Sequence, residues 1–558
     1  MADAVVIGAG PNGLVAANVL ADAGWEVEVL EAQDQAGGAV RSDRGVHPDY
    51  VSDLFSSFYP LAAASPVIAA LRLEEHGLAW SHAPIVLAHP LPDGRCALLR
   101  RGPEANIDDI GRSFGRPDAL AWRRLSQLWQ ELDPCLVGAM FAPFPPVRAG
   151  LALAARLRAP GLLRLARFAA LPVRRLAEEE FDRDGPGLLL AGCALHADLL
   201  PESPGSAAFG WLMAMLGEQY GWPVPVGGAR ALSGALVRRL ESRGGTIRCG
   251  TAVSEVVVRA GRALGIRTAQ GDYVRAHRAV LADVPAPHLY GRLVREGHLP
   301  PGFRDAVRRF QWDFATVKVD WALDSPIPWT AEQAHRAGTV HLGTDWTELS
   351  DYALQVSTGR LPARPFGLLG QMTTADPSRS PAGTESAWMY THVPQHIADD
   401  LGPDGITGSW DDRESEAIAR RMEAQVERFA PGFTDRIQAR RVLTPPVLEH
   451  LDQNLVGGAI NGGTAALHQQ ALLRPLPGTG RPETPIQRLY LASASAHPGG
   501  GVHGACGANA ARAALRAQGA LTGRLLRPAL ARAQLALSDP GGGRDGVTPS
   551  GGRDPQPG

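Results

Sequence analysis

Two short apolar runs flank an amphipathic stretch at the start of the chain. Residues 4–7 are all apolar and the run stops at Gly8, while a second apolar run leads to Glu31. Between them, apolar positions recur at helical spacing as far as Ala23, and Gly24 follows. Because glycine commonly ends helices, this pattern predicts a strand, a helix and a second strand.

Glycines join the first predicted strand to the helix at the spacing G-x-G-x-x-G. The turn comprises Gly8, Gly10, Pro11, Asn12 and Gly13. Gly10 lets a pyrophosphate approach the backbone, Gly13 allows close helix–strand packing, and the helix N-terminus favours negative charge. Glu31 lies 23 residues after Gly8, where an acid binds a ribose 2′-hydroxyl and repels a 2′-phosphate. The pattern therefore predicts a dinucleotide site that disfavours NADP.

Two later regions show a related pattern. In residues 223–285, a glycine pair precedes a predicted helix with apolar positions 232, 236, 237 and 240. Short strands are expected near 246–249, 252–259, 263–269 and 273–276, followed by a buried strand at 279–285. In residues 489–515, a strand ends at Ala492 and a helix begins near Gly507 or Ala508. The dinucleotide domain is therefore predicted to combine three separated parts of the chain.

The loop before the last helix contains three consecutive glycines, Gly499 to Gly501. Such a run costs backbone entropy, which a chain accepts where a flat ring must lie against the backbone. The following helix N-terminus would stabilise negative charge on such a ring. This loop is therefore the predicted partner of the cofactor's ring system.

The stretches "EAQDQAGGAVRS" and "HPGGGVHGACGANAA" carry a family resemblance. They resemble the FAD-dependent amine oxidase and phytoene desaturase superfamily. The residue sequence of the second stretch resembles that of the phytoene dehydrogenase-related branch of this superfamily. The resemblance implies FAD as cofactor, with Gly37, Gly38 and Arg41 against the pyrophosphate and ribityl chain. It also implies that Val253 contacts the adenine and that Gly499, Gly500, Gly501 and Val502 hold the flavin. Ser493 stands where many such proteins have an acid, so its ribityl contact is weaker.

The fold implied by this resemblance is α/β, with a Rossmann-like FAD-binding domain of the glutathione reductase type interleaved with an α+β substrate domain. The FAD domain is expected from residues 1–92, 222–292 and 486–535, and the substrate domain from residues 93–221 and 293–485. Residues 536–558 are rich in glycine and proline and are predicted to be a disordered tail.

The function implied is an FAD-dependent oxidoreductase that removes hydride from an apolar polyene or isoprenoid-like substrate, with oxygen or a quinone as electron acceptor. One alternative is a desaturase-type β-carotene ketolase. Another is a non-catalytic prenyl-lipid-binding module of the GDP-dissociation-inhibitor type, which would be expected to lose its flavin contacts. An amine oxidase would require an aromatic pair beside the flavin, which the sequence alone does not identify.

Composition narrows these expectations. The net charge of −2 gives no sign of nucleic-acid binding, and the five cysteines are too scattered for a disulfide framework, a zinc site or a redox dithiol. We expect no metal. The first strand begins at residue 4, leaving no room for a signal peptide, so a cytoplasmic bacterial protein is expected. The oligomeric state stays open.

Residues 134–177 contain no acid but carry several arginines among leucines and alanines, interrupted by Pro160 and Pro172. This composition fits short amphipathic helices on an anionic membrane surface, centred on residues 147–176. It fits equally a helical cap whose apolar face is core and whose arginines are solvated. Peripheral membrane contact is therefore one of two interpretations.

Lys318 is the single lysine among 55 lysines and arginines. Its stretch resembles a K-[IV]-[ND]-x-A strand of the family, and a compact ammonium serves in narrow spaces where a guanidinium does not. We interpret Lys318 as a catalytic candidate that faces the flavin or its pocket. The alternative is that this one lysine persists by chance in a chain whose other basic residues are arginines. His468, His497 and His503 are weaker candidates for facing the flavin.

Overall fold

The computed structural model describes residues 2–518, so the predicted tail lies outside the described residues. Its strands are β1 Ala2–Ile7, β2 Val27–Leu30, β3 Ser42–Asp43, β4 Ser52–Asp53, β5 Trp80–Ser81, β6 Ile85–Pro90, β7 Cys96–Leu99, β8 Val224–Pro225, β9 Thr246–Arg248, β10 Val253–Arg259, β11 Arg262–Thr268, β12 Tyr273–Ala282, β13 Ala315–Leu323, β14 Ala337–Leu342, β15 Arg360–Leu361, β16 Gly367–Gln371, β17 Glu385–Val393, β18 Asp399–Asp400, β19 Ile437–Leu443 and β20 Leu489–Leu491.

Its α-helices are α1 Pro11–Asp22, α2 Pro60–Ala64, α3 Pro66–Ala70, α4 Pro103–Ser113, α5 Arg116–Met140, α6 Val147–Ala170, α7 Val173–Glu180, α8 Asp184–Ala194, α9 Ser206–Tyr220, α10 Arg230–Ser242, α11 Ala286–His288, α12 Pro301–Arg308, α13 Trp346–Ser357, α14 Met372–Ala375, α15 Asp412–Glu427, α16 Pro445–Leu451 and α17 Ala505–Arg516.

The first sheet runs in the order β10-β11-β12-β1-β2-β9, and β20 also pairs with β12. β1, β2, β9, β12 and β20 are parallel, which places the turns after β1, β12 and β20 at one edge. Two strands predicted at 273–276 and 279–285 are one continuous strand, β12. The prediction was wrong because His277 and Arg278 interrupt the apolar run, although backbone pairing continues past them.

Helices α1, α10 and α17 cover this sheet with a common apolar core. Leu14 and Leu20 of α1 are buried with Leu232 and Leu236 of α10 and Ala511 of α17. The last helix begins at Ala505, slightly before the predicted start, after Gly504 in the left-handed conformation. The three parts of the chain therefore meet in one α/β unit.

The second sheet runs in the order β19-β13-β17-β16-β14-β6-β7 and is antiparallel except for the β14–β6 pair. Helices α4, α5, α8 and α9 pack on one side, while α15 packs against β13 on the other. Because β6 already belongs to this sheet, the chain crosses over before residue 85 and not at residue 92. The two sheets interleave along the chain, which confirms the predicted fold class.

Helix α6 is exposed along most of its length. It bends at Arg158, whose φ of 53° and ψ of 179° are not helical, just before Pro160. Helix α6 ends at Ala170, and α7 begins after Pro172. The short helices predicted between the two prolines and beyond them are therefore present. Within residues 2–518, no helix combines the length and apolarity needed to cross a bilayer.

Candidate functional site

A cavity of about 610 Å³ lies between the two sheets. Its wall includes, among the predicted cofactor residues, Gly10, Pro11, Asn12, Gly38, Ser493, Gly500, Gly501 and Val502. Lys318 also lies on this wall. The other predicted cofactor residues, which do not border this cavity, are Gly8, Gly13, Glu31, Gly37, Arg41, Val253 and Gly499.

The glycine turn after β1 is packed too closely for larger residues. A Cβ on Gly38 would lie 2.9 Å from the Gly10 Cα, and one on Gly10 would lie 2.8 Å from Asp283 Oδ2. The Gly13 N–H at the start of α1 donates to Asp283 Oδ2 at 2.8 Å. The backbone is therefore exposed to the cavity at Gly10 and Gly38, as a pyrophosphate site requires.

Asp283, which follows β12, is a site residue that the sequence interpretation missed. Burial, aided by the nearby Asp452 and Glu31 carboxylates, raises the pKa of Asp283 from 3.8 to about 8, although the Gly13 N–H opposes the shift. The signal in the sequence was an acid inside the predicted buried strand at 279–285; in the structure Asp283 directly follows β12, as Glu31 follows β2.

Asp283→Asn tests this carboxyl through stability. Because the folded protein holds the Asp283 proton more tightly than the unfolded chain does, the free energy of unfolding should fall by a few kcal/mol as pH rises from about 4 to about 8. The variant should flatten that decline, measured by urea unfolding at both ends of the range. An equally steep decline in the variant would contradict the assignment.

Glu31 and Arg41 fix the loops behind the cavity wall. Glu31 is buried, and its carboxylate accepts the N–H groups of Ala9 (2.6 Å) and Gln33 (2.9 Å). The Arg41 guanidinium donates to the carbonyls of Gly38 (2.8 Å) and Leu451. Both side chains therefore shape the glycine loops, and their predicted contacts with ribose and pyrophosphate stay predictions.

The triple-glycine loop brings its last two glycines to the wall. His503, also on the wall, uses Nδ1 to accept the Ala505 N–H (3.0 Å) and Nε2 to approach the Gly499 carbonyl (3.2 Å). Burial lowers the pKa of His503 to about 4, so the ring is neutral near pH 7. His468 and His497 do not border the cavity. Of the three histidine candidates, only His503 lies at the site.

Two buried charged side chains shape the glycine-rich loop at residues 460–463. Asp313 accepts the N–H groups of residues 460, 461 and 463 at 2.8, 2.8 and 3.0 Å. Arg474 donates to the carbonyls of Asn461 (2.8 Å) and Ala494 (2.8 Å). These contacts tie the glycine-rich loop at 460–463 to the loop after β20. The sequence around this loop gives no sign of the distant acid that shapes it.

The second sheet contributes an aromatic and cationic patch to the wall. The rings of Trp388 and Tyr390 on β17 are nearly parallel, with centroids 5.9 Å apart and an interplanar angle of 26°. Lys318 Nζ lies 5.7 Å from the Trp388 ring centroid, donates to the Asp53 carbonyl (2.8 Å) and pairs with Asp320. Burial lowers the pKa of Lys318, while the Asp320 carboxylate raises it. Lys318 therefore faces the pocket, and its catalytic role stays a prediction.

The family described as "Flavin containing amine oxidoreductase" matches residues 12–515. The chain belongs to this family. It is 30% identical to pyridine nucleotide-disulfide oxidoreductase domain-containing protein 2 of Mus musculus, over 92% of this chain and 93% of the relative. It is 27% identical to a lycopene-forming phytoene desaturase of Pseudescherichia vulneris, over 92% and 99% of the two chains.

Solved structures show the same fold. Cyclohexylamine oxidase from Brevibacterium oxydans superposes with a TM-score of 0.56 at 16% identity, covering 95% of this chain and 99% of that one. An oxidoreductase from Methanosarcina mazei gives a TM-score of 0.58 at 16% identity, covering 92% and 99%. The protein is an FAD-dependent oxidoreductase of the amine oxidase superfamily.

The cavity suits this cofactor. Three residues of its wall, Asn12, Ser57 and Asn461, each contain a buried polar side-chain atom (Oδ1, Oγ and Nδ2) that has no hydrogen-bond partner within residues 2–518. Buried polar atoms are rarely left unpaired, so these positions fit a ligand that offers both donors and acceptors. Gly10 and Gly38 would hold the pyrophosphate, and Gly500 and Gly501 the ring system.

Proposed function

We propose that this oxidoreductase removes hydride from an apolar, polyene or isoprenoid-like substrate, desaturating or oxidising it. The observation that carries the proposal is a single cavity that extends from the glycine loops to an apolar wall formed by Phe209, Leu212 and Met213 of α9. FAD, when bound, supplies the hydride acceptor. The α9 side chains hold an apolar chain and exclude water from it.

Several curated relatives have names that fit such a substrate, among them the phytoene desaturase above and a hydroxyneurosporene desaturase of Rhodobacter capsulatus, 26% identical over 92% of this chain.

Oxygen or a quinone is the proposed electron acceptor, because the sequence carries one nucleotide fingerprint. We place the protein in the cytoplasm, with access to a membrane surface.

An amine is a less suitable substrate despite the family's name. Trp388 and Tyr390 form an aromatic pair on the wall, which the sequence alone did not reveal. However, the Lys318 amine nitrogen already lies 5.7 Å from the Trp388 ring centroid. A protonated amine at that ring would meet a second cationic group, which like-charge repulsion disfavours.

The visible spectrum of the purified protein, with the released cofactor identified by chromatography, is the first test. Flavin bands and released FAD are expected, followed by flavin bleaching when phytoene, hydroxyneurosporene or β-carotene is added without oxygen. A protein that binds FAD but is bleached by no polyene would contradict the substrate class. A colourless protein that FAD cannot reconstitute would favour the prenyl-lipid-binding module. Formation of oxygenated β-carotene when the reaction is repeated in air would favour the ketolase.

Membrane contact through α6 is the second part of the proposal. Val147, Leu151 and Leu163 on this helix are 61%, 67% and 73% exposed, beside exposed arginines, and Ala169 near its end borders the cavity. An exposed apolar face with basic residues favours binding to anionic lipid, and the cavity lies where a substrate could enter from it.

Co-sedimentation with lipid vesicles tests this contact. Binding to phosphatidylcholine vesicles that contain phosphatidylserine is expected, and the double substitution Leu151→Glu with Leu163→Glu should weaken it about tenfold or more. Leu354→Glu is the matched control, because Leu354 is an exposed leucine on α13, outside residues 147–176. Equal binding by the double variant and the control would show that α6 does not contact the membrane.

A further inference from the structure

A chain of three neutral polar side chains leads from the cavity wall into the second sheet. Tyr390 Oη lies 3.3 Å from His196 Nδ1, and His196 Nε2 lies 3.0 Å from His341 Nε2 on β14. Tyr390 and His196 border the cavity beside apolar neighbours that include Leu199 and Trp222. The polar chain therefore opens into the substrate end of the cavity through Tyr390 and His196.

Both histidines are uncharged near neutral pH. Burial lowers the pKa of His196 to about 3, and burial also lowers the pKa of His341 far below its ordinary value. Each imidazole therefore carries one proton, on one of its two nitrogens. His341 Nδ1, at the inner end of the chain, has no hydrogen-bond partner within the described residues.

Two arrangements of protons satisfy the same contacts. In the first, the Tyr390 hydroxyl donates to His196 Nδ1, and His196 Nε2–H donates to His341. In the second, His341 Nε2–H donates to His196, His196 Nδ1–H donates to Tyr390 Oη, and the Tyr390 hydroxyl hydrogen is free. Tyr390 can therefore present either an acceptor or a donor to the cavity, because a hydroxyl has one donor and two acceptor sites.

We propose that Tyr390 Oη, positioned by His196 and His341, is the hydrogen-bonding anchor for an uncharged oxygen group on an otherwise apolar substrate. The inference rests on the proposed function, since it assumes that the substrate occupies this cavity. It narrows the substrate to an isoprenoid-like molecule with a hydroxyl, ether or carbonyl oxygen. A hydrocarbon substrate would leave the remaining hydrogen-bonding site of the Tyr390 hydroxyl without a partner. A site that hydrogen-bonds a substrate oxygen discriminates against the analogue that lacks this oxygen.

Binding of matched isoprenoids tests the anchor without requiring turnover. Farnesol, farnesyl methyl ether and farnesene share a carbon skeleton, and isothermal titration of the purified protein measures the affinity of each. Farnesol and the ether should bind about tenfold more tightly than farnesene, the equivalent of one hydrogen bond. The ether is included because it can only accept, which requires the second proton arrangement.

Tyr390→Phe should abolish the preference, leaving the three affinities within about twofold of one another, an amount below one hydrogen bond. Tyr352→Phe is the control: the Tyr352 hydroxyl donates to the His392 carbonyl (3.0 Å) and does not border the cavity, so this variant should keep the preference. Equal affinities in the unsubstituted protein, no binding of any of the three, or a preference that survives Tyr390→Phe would each overturn the anchor.

The FAD content is measured on the same samples. A protein that lacks FAD but still prefers farnesol would contradict the proposed oxidoreductase function and retain the anchor. A flavoprotein that is bleached by hydrocarbon polyenes and shows no preference for farnesol would retain the function and reject the anchor.

Discussion

Gly507→Ala is expected to lower the free energy of unfolding by about 3 kcal/mol or more and to abolish FAD binding. Gly507 lies in the first turn of α17, where this helix packs against α1. An added Cβ would overlap the carbonyl oxygen of Asn12, a backbone atom that cannot rotate away. Since Asn12 belongs to the cavity wall, the clash would separate the pyrophosphate turn from the loop of Gly500 and Gly501 that would hold the ring system.

Gly138→Ala provides the matched control for this substitution. Gly138 also lies within a helix, α5, but among the described residues, apart from its chain neighbours and the backbone of its own helix, nothing lies within 4 Å of the Cβ that alanine would add. Alanine there should raise the free energy of unfolding by about 0.5–1 kcal/mol, because glycine is the poorer helix former. Urea unfolding and the FAD content of purified protein measure both variants. Similar stability and FAD content in the two would contradict the proposed close contact.

The parts of the fold that are local in sequence could be predicted from it. The strand, glycine turn, helix and acid of residues 4–31 form one unit whose geometry follows from neighbouring residues. The same holds for α10 and for the loop that ends at Gly501. Each of these segments has a hydrophobic period and turn residues that no distant contact overrides.

The parts that depend on distant contacts could not be predicted. The Arg41 guanidinium binds the carbonyl of Leu451, 410 residues away in the chain, a contact that the fingerprint around Arg41 does not indicate. Asp313 shapes a loop 147 residues further on, and no local pattern distinguishes it from a surface acid. Tyr390 and His196 meet because β17 and the end of α8 pack together, a register that sequence periodicity does not specify.

Lys318→Met is expected to change both stability and the flavin. Lys318 is 4% exposed, and its ammonium bonds Asp320 and the Asp53 carbonyl, joining the second sheet to β4, which follows the fingerprint. Breaking a buried ion pair costs about 3–5 kcal/mol, although Arg441 still pairs with Asp320. Because a cation on the cavity wall favours the anionic reduced flavin, its loss should make the midpoint potential about 30 mV more negative, about 1.4 kcal/mol for two electrons.

Two further variants separate the ion-pair network from the cavity. Arg441→Gln also removes a partner of Asp320, but Arg441 does not border the cavity, so stability should fall while the potential stays unchanged.

Lys318→Arg keeps the charge but introduces a wider, planar group, so the visible flavin bands and turnover should change while the potential changes little. If Lys318→Arg leaves the bands and turnover unchanged and Lys318→Met leaves the potential unchanged, Lys318 serves only the buried network. Its survival as the single lysine would then have no catalytic meaning.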